Sequence, residues 1–283
     1  MPQQNNPPPE KGSRNNGDLR VIGHARRRVD ARAKVTGQTR FADDISLPRM
    51  AHCKLLRSPH PHARIRCIDI SHAAAHLGVY LVLTGKDLPI EYGILPVSQD
   101  EQALCLDHVR HVGDPVAAVI AREELIAFEA LDLIKVEYEL LTTISNPEEA
   151  LATPNPRIHD YGDEGNIHKR VALEFGNVDQ GFVEADEIFE DTFFYQGSTH
   201  LPIEQHASVA TKDPDGKLTI WTSTQTPHYV HRALAKVLQM PAAHIRVVAT
   251  PNGGGFGGKS DPFNHEIVVC KAALLLDRPV KWI

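Results

Sequence analysis

The chain has 283 residues, 42% hydrophobic and 23% charged, a balance ordinary for a folded protein and a length sufficient for two cores. Its formal net charge of −6 leaves no basic field for a nucleic-acid partner. No apolar stretch approaches the roughly 18 residues that a membrane span needs, and the polar, Pro- and Asn-rich start lacks the apolar core of a secretory signal.

Residues 1–20 are expected to form a disordered tail. The arginines at 26–28, followed by Asp30, Asp43 and Asp44, read as solvated surface. The run 78–85 (GVYLVLTG) predicts a buried strand, as does 114–121 (DPVAAVIA). Ala127, Ala130, Leu131 and Ile134 make a helical stripe over 122–134, and strict alternation over 134–140 predicts the next strand. These elements place a first domain at 21–141. Residues 142–168, with Pro147, Pro154 and Pro156, are expected to be a linker.

A second domain is expected over 169–283. A strand is predicted at 186–196. A hairpin follows, from 207–212 and 218–224 around the turn Pro214, Asp215, Gly216. Thr226 is placed to cap a helix and Pro227 to begin it, with Val230, Ala233, Leu234, Val237 and Leu238 on its apolar face. A strand at 245–249 leads into 253–259 (GGGFGGK), an apolar helix is predicted over 265–276, and 280–283 reads as a strand after which the natural protein is expected to continue. Strands and helices in this order give an α+β fold.

Cys53, Cys67, Cys105 and Cys270 form no CxxC pair. Reduced, mostly buried thiols of a cytoplasmic protein are expected, with no iron–sulfur cluster on this chain. His60 and His62 read as loop histidines, and His228 and His231 as surface residues without a third ligand beside them.

Five glycines in six positions between a strand and a helix suit close approach of backbone amides to an anionic or polar ligand. The string from Gly253 to Ser260 also fits GxxxxGK[ST], the phosphate loop of a nucleotide hydrolase. Pro262 in the first turn and Asp277 as the only nearby acidic residue after an apolar run count against a magnesium–phosphate site. A further alternative is a non-catalytic assembly fragment.

Residues 29–32 (VDAR), 35–37 (VTG), 41–48 (FADDISLP), 57–65 (RSPHPHARI) and 112–119 (VGDPVAAV) resemble the a/b hammerhead domain of the xanthine oxidase and aldehyde oxidase family. Residues 223–228 (STQTPH) and 253–259 resemble the first signatures of that family's molybdenum-cofactor-binding domain. The resemblance implies a hammerhead domain followed by the first part of a molybdopterin-binding α+β domain. It implies Gln225 beside the metal's oxo ligand and Gly254, Gly255, Phe256, Gly257 and Gly258 against the cofactor. Phe256 is expected to exclude water. No side chain is expected to ligate the molybdenum, which the pterin holds. The family's catalytic glutamate lies near the far end of its large subunit and is not among these residues; Glu204 is expected to be structural or supporting.

Residues 91–101 (EYGILPVSQDE), 109–115 (VRHVGDP) and 257–263 (GGKSDPF) are most similar to the 4-hydroxybenzoyl-CoA reductase subgroup, and Ser260 and Asp261 stand where purine oxidisers carry a glutamate. That similarity implies reductive dehydroxylation of an aromatic CoA thioester, with ferredoxin as donor. It further implies a molybdopterin cytosine dinucleotide cofactor and separate iron–sulfur and FAD subunits in a heterotrimer able to dimerise. Hydroxylation of an aldehyde, a heterocycle or carbon monoxide is the alternative within the family.

Overall fold

The computed structural model describes residues 21–95, 98–160, 162 and 164–283. The expected tail at 1–20 lies outside them. Two compact units divide the chain at Thr39 and Arg40. The described part of the first holds one short helix, α1 (Ala31–Val35), with Asp30 paired to Arg28 at 3.1 Å and to Lys34 at 2.8 Å.

The second unit is built on a seven-stranded sheet. Its strands are β1 (Ala51–Arg57), β3 (Val79–Thr84), β5 (Pro115–Ala121), β7 (Ser208–Lys212), β8 (Leu218–Thr222), β9 (Ile245–Ala249) and β10 (Val280–Trp282), in the order β3-β5-β1-β10-β7-β8-β9. A three-stranded sheet holds β4 (His108–Val109), β2 (Ala63–Asp69) and β6 (Lys135–Leu140), with β2 central.

Every residue of β5 is buried, which explains its unbroken apolar run. From Ala117 to Ala121 its side chains alternate between two cores. Ala118 and Ile120 join the main core, with Leu218, Ile220 and the helices α6 (Pro227–Val237) and α7 (Asn264–Leu276). Ala117, Val119 and Ala121 join a second core with α2 (Ser71–Ala75) and α3 (Glu124–Leu131), where Ile126, Ala127 and Ala130 are buried. The residues of α7 from His265 to Cys270 are all buried, so its apolar character runs round the helix and not along one stripe.

The predicted strands at 78–85, 114–121, 134–140, 245–249 and 280–283 all form, as do the hairpin and the helices. The expected strand at 186–196 does not. Residues 186–200 have no regular structure, and Phe189, Phe193 and Phe194 are exposed. A strand is stabilised by the ladder of a neighbour, and no strand pairs with this segment among the described residues. Within the expected linker, α4 (Pro147–Ala152) forms because the Asn146 side chain accepts the Glu149 N–H and Pro147 occupies the first turn. Another short helix, α5 (Val178–Glu184), is capped in the same way by Asn177.

The last strand crosses back to the first region. β10 pairs parallel with β1, with Ala51 opposite Val280, and antiparallel with β7 on its other side. One sheet therefore spans both regions read from the sequence. Among the described residues no helix is long and apolar enough to cross a membrane.

Candidate functional site

The segment after β8 and the segment after β9 lie side by side because those strands are parallel neighbours. The Gln225 N–H donates to the Lys259 carbonyl at 2.8 Å. The Thr226 hydroxyl donates to the Ser260 carbonyl at 2.8 Å, so it links the two segments and does not cap α6 as its position suggests. Asn252 Nδ2 donates to the Thr224 and Thr250 carbonyls, both at 3.1 Å. STQT and the glycine loop, far apart in sequence, are thus joined by backbone and side-chain bonds.

The glycines of the loop serve different purposes. A Cβ on Gly255 would lie 2.5 Å from Gln225 Oε1, so the carboxamide rests directly on that backbone. A Cβ on Gly253 would lie 2.6 Å from the Glu204 Cβ, and one on Gly258 would lie 2.9 Å from the His200 ring. Three glycines are therefore needed by the chain's own side chains. Gly254 and Gly257 have φ of +109° and +88°, which only glycine adopts freely. Gly257 is exposed, and nothing is nearer its Cβ position than His200 at 3.8 Å. It is the loop glycine whose Cβ would meet its neighbours only at ordinary van der Waals distance. Phe256, with φ of +52°, has its ring beside Gly254 and is 75% exposed, so the loop's crest faces outward.

Lys259 is not placed to hold a phosphate. Its side chain is fully buried and its ammonium lies 2.6 Å from Glu204 Oε2 and 3.0 Å from the Glu204 carbonyl. A phosphate-loop lysine must reach its ligand, so the nucleotide-hydrolase alternative loses its central residue.

The segment 200–206 covers one side of the loop. His200, Pro202 and Glu204 approach Gly258, Gly254 and Gly253, and the His206 ring packs edge-on against Phe263 at 4.7 Å. Sequence reasoning noticed only Glu204. No periodic signal marks this segment, which bends at 203–204 and passes through a positive φ at Leu201.

Beneath the loop, the first turn of α7 carries a buried polar pair. Thr222 donates to Glu266 Oε1 at 2.6 Å and the Phe263 N–H donates to Oε2 at 2.8 Å. Burial pushes the Glu266 carboxyl up to about 7 despite both bonds, which favour the charged form. The neighbouring His265 is buried, stacked on Trp282 at 4.3 Å and bonded to Ser208 at 3.0 Å; burial holds it well below its usual range.

A carboxyl raised from 4.5 to about 7 binds more protons folded than unfolded between those values. Its contribution to stability is complete below pH 4.5 and is lost as pH rises through 7. A Glu266→Gln chain should therefore gain stability relative to the parent as pH rises from 4.5 to 7, read as a narrowing or reversing gap in melting temperature. A gap constant across that window would show that Glu266 does not titrate there.

The histidines set aside by the sequence stay apart from this site. His62 is buried and bonds the Thr142 carbonyl at 2.7 Å, His60 packs edge-on against Tyr138, His228 lies exposed on α6, and the half-buried His231 bonds the Ala242 carbonyl at 3.0 Å. No metal-holding cluster of His, Cys, Asp and Glu exists among the described residues. All four cysteines are free; three are buried, and burial pushes Cys53 up to about 12.

The model of the aldehyde oxidase and xanthine dehydrogenase a/b hammerhead domain matches residues 36–142, and that of the molybdopterin cofactor-binding domain matches 158–283. The chain belongs to the xanthine oxidase family of molybdopterin-binding proteins. It is 40% identical over 269 residues to the nicotinate dehydrogenase large molybdopterin subunit of Eubacterium barkeri, covering 94% of this chain and 62% of that one. It is 40% identical over 259 residues to a probable xanthine dehydrogenase subunit of Bacillus subtilis, covering 91% of this chain and 34% of that one. Among solved structures, quinoline 2-oxidoreductase from Pseudomonas putida 86 superposes with a TM-score of 0.84 at 33% identity, over 93% of this chain and 34% of the other. The chain thus spans between about a third and three fifths of these relatives.

Proposed function

We propose that this chain is the molybdenum-cofactor-binding part of an oxidoreductase, with Gln225 and the loop at 254–258 as its contribution to the cofactor site. The observation that carries the reading is the bonding of STQT to the glycine loop, which sets the Gln225 carboxamide against Gly255 and leaves Gly257 exposed. These residues fit a pterin-held molybdenum that carries an oxo group. A carboxamide offers N–H donors without changing charge, and a glycine crest admits a large planar ligand at close range. The molybdenum–pterin group, when bound, supplies the redox chemistry, while the protein supplies position and electrostatics. Gln225 orients a donor; Gly257 and Phe256 set the approach; no side chain here needs to ligate the metal.

For the reaction we favour oxidative hydroxylation of an aromatic nitrogen heterocycle, the substrate class named in nicotinate dehydrogenase and quinoline 2-oxidoreductase. Reductive dehydroxylation of 4-hydroxybenzoyl-CoA, with ferredoxin as donor, is the second reading. Its support is spatial: Tyr92 and Glu101 from one stretch carrying that similarity, and Phe263 from another, line one cavity of about 370 Å³. The cofactor is read as the cytosine dinucleotide form. Iron–sulfur and FAD subunits are the partners that carry electrons, in a cytoplasmic complex consistent with the free thiols.

The test is purification of the intact complex, metal analysis, and two assays. Dye reduction with nicotinate, quinoline or xanthine supports the first reading; consumption of 4-hydroxybenzoyl-CoA with a reduced dye supports the second. An intact complex without molybdenum refutes both.

A further inference from the structure

The glycine loop is conformationally loose by composition. Five of the seven residues at 253–259 are glycine, and three positions, Gly254, Phe256 and Gly257, have positive φ. Glycine has the largest backbone freedom to lose. Within the loop, the Gly258 N–H donates to the Gly255 carbonyl at 2.7 Å. That bond closes one turn and does not fix the loop to the body.

Glu204 does. Its Oε2 accepts the Gly253 N–H at 2.6 Å and the Lys259 ammonium at 2.6 Å, so one oxygen grips both ends of the loop. The same residue donates its N–H to the Gly253 carbonyl at 3.3 Å and accepts Lys259 again through its own carbonyl at 3.0 Å. A buried ion pair is poor evidence for net stability, since well-packed apolar residues of similar volume often do as well. An apolar pair would not tie a backbone amide and a side chain to one atom, and that tie fixes the distance between the loop's two ends.

We infer that Glu204 is a positioning residue whose carboxylate sets the span of the 253–259 loop and so the presentation of Phe256 and Gly257. The inference deepens the cofactor-site reading above and rests on it for the loop's purpose.

The test uses two variants in the full chain within its complex. Glu204→Gln with Lys259→Met removes both charges together, which spares the fold the cost of one unpaired buried charge, but breaks the tie from the 259 side chain to residue 204 while the Gln225 N–H bond to the backbone carbonyl at 259 remains. Glu204→Asp keeps the charge on an arm too short to hold both ends. Hydrogen exchange of the peptide covering 253–259 should quicken at least tenfold in both, with β7 and β8 unchanged. Molybdenum per chain should fall at least fivefold, and the Mo(V) electron paramagnetic resonance signal of the centres that remain should shift.

Unchanged loop exchange overturns the inference. So does faster exchange with full molybdenum and an unaltered signal, or exchange that quickens equally in β7 and β8. Failure of even Glu204→Asp to fold also overturns it, because the pair would then hold the fold as a whole. If the parent complex carries no molybdenum, the functional reading fails, while the exchange comparison still decides whether Glu204 sets the loop.

Discussion

A Glu204→Ala chain should lose about 3–5 kcal/mol of stability, the usual cost of leaving one partner of a buried ion pair alone. The Lys259 side chain is 0% exposed, so its ammonium has no water to replace the carboxylate. The Gly253 N–H loses its acceptor at the same time. Urea unfolding of the intact chain measures the loss. Adding Lys259→Met should return more than half of it, since the double variant no longer buries a charge. A loss below about 1 kcal/mol in the single variant would mean that water reaches Lys259 freely, contrary to the burial described.

A Gly255→Ala chain should show the opposite pattern, with folding nearly intact and activity lost. The added methyl would lie 2.5 Å from Gln225 Oε1 and 2.7 Å from its Cδ, closer than any real contact. These atoms are the far end of a flexible, exposed side chain, so the carboxamide swings away at little cost to the fold. If that carboxamide donates at the cofactor, turnover of the loaded complex should fall on the order of 10²-fold, as when one preorganised donor is removed elsewhere. The melting temperature should move by a few degrees at most. Full turnover in Gly255→Ala would remove Gln225 from the site; a collapse in stability would mean that the displaced atoms are not free to move.

How much of this could be read in advance depended on the range of each interaction. The glycine loop, STQT and the strand at 114–121 were legible because their signals are local: missing Cβ atoms, a short polar string before a proline, an apolar run buried on both faces. The P-loop match was legible too and was already counted against by Pro262 and Asp277, but the fate of Lys259 was not legible, because it is decided by Glu204, 55 positions earlier. A strand was expected at 186–196, yet a strand depends on a neighbour that local sequence does not specify. The assignment of Gly253, Gly255 and Gly258 to packing against Glu204, Gln225 and His200 was likewise beyond local reading, since each partner sits on another segment.

The parallel contact between β1 and β10 has a consequence for synthesis. The first of these strands leaves the ribosome some two hundred residues before its neighbour exists, so one of its edges must wait, unpaired, for a late-arriving strand. An edge left open in this way is a template for wrong pairing, and the nascent chain should recruit holding chaperones until translation has passed Trp282.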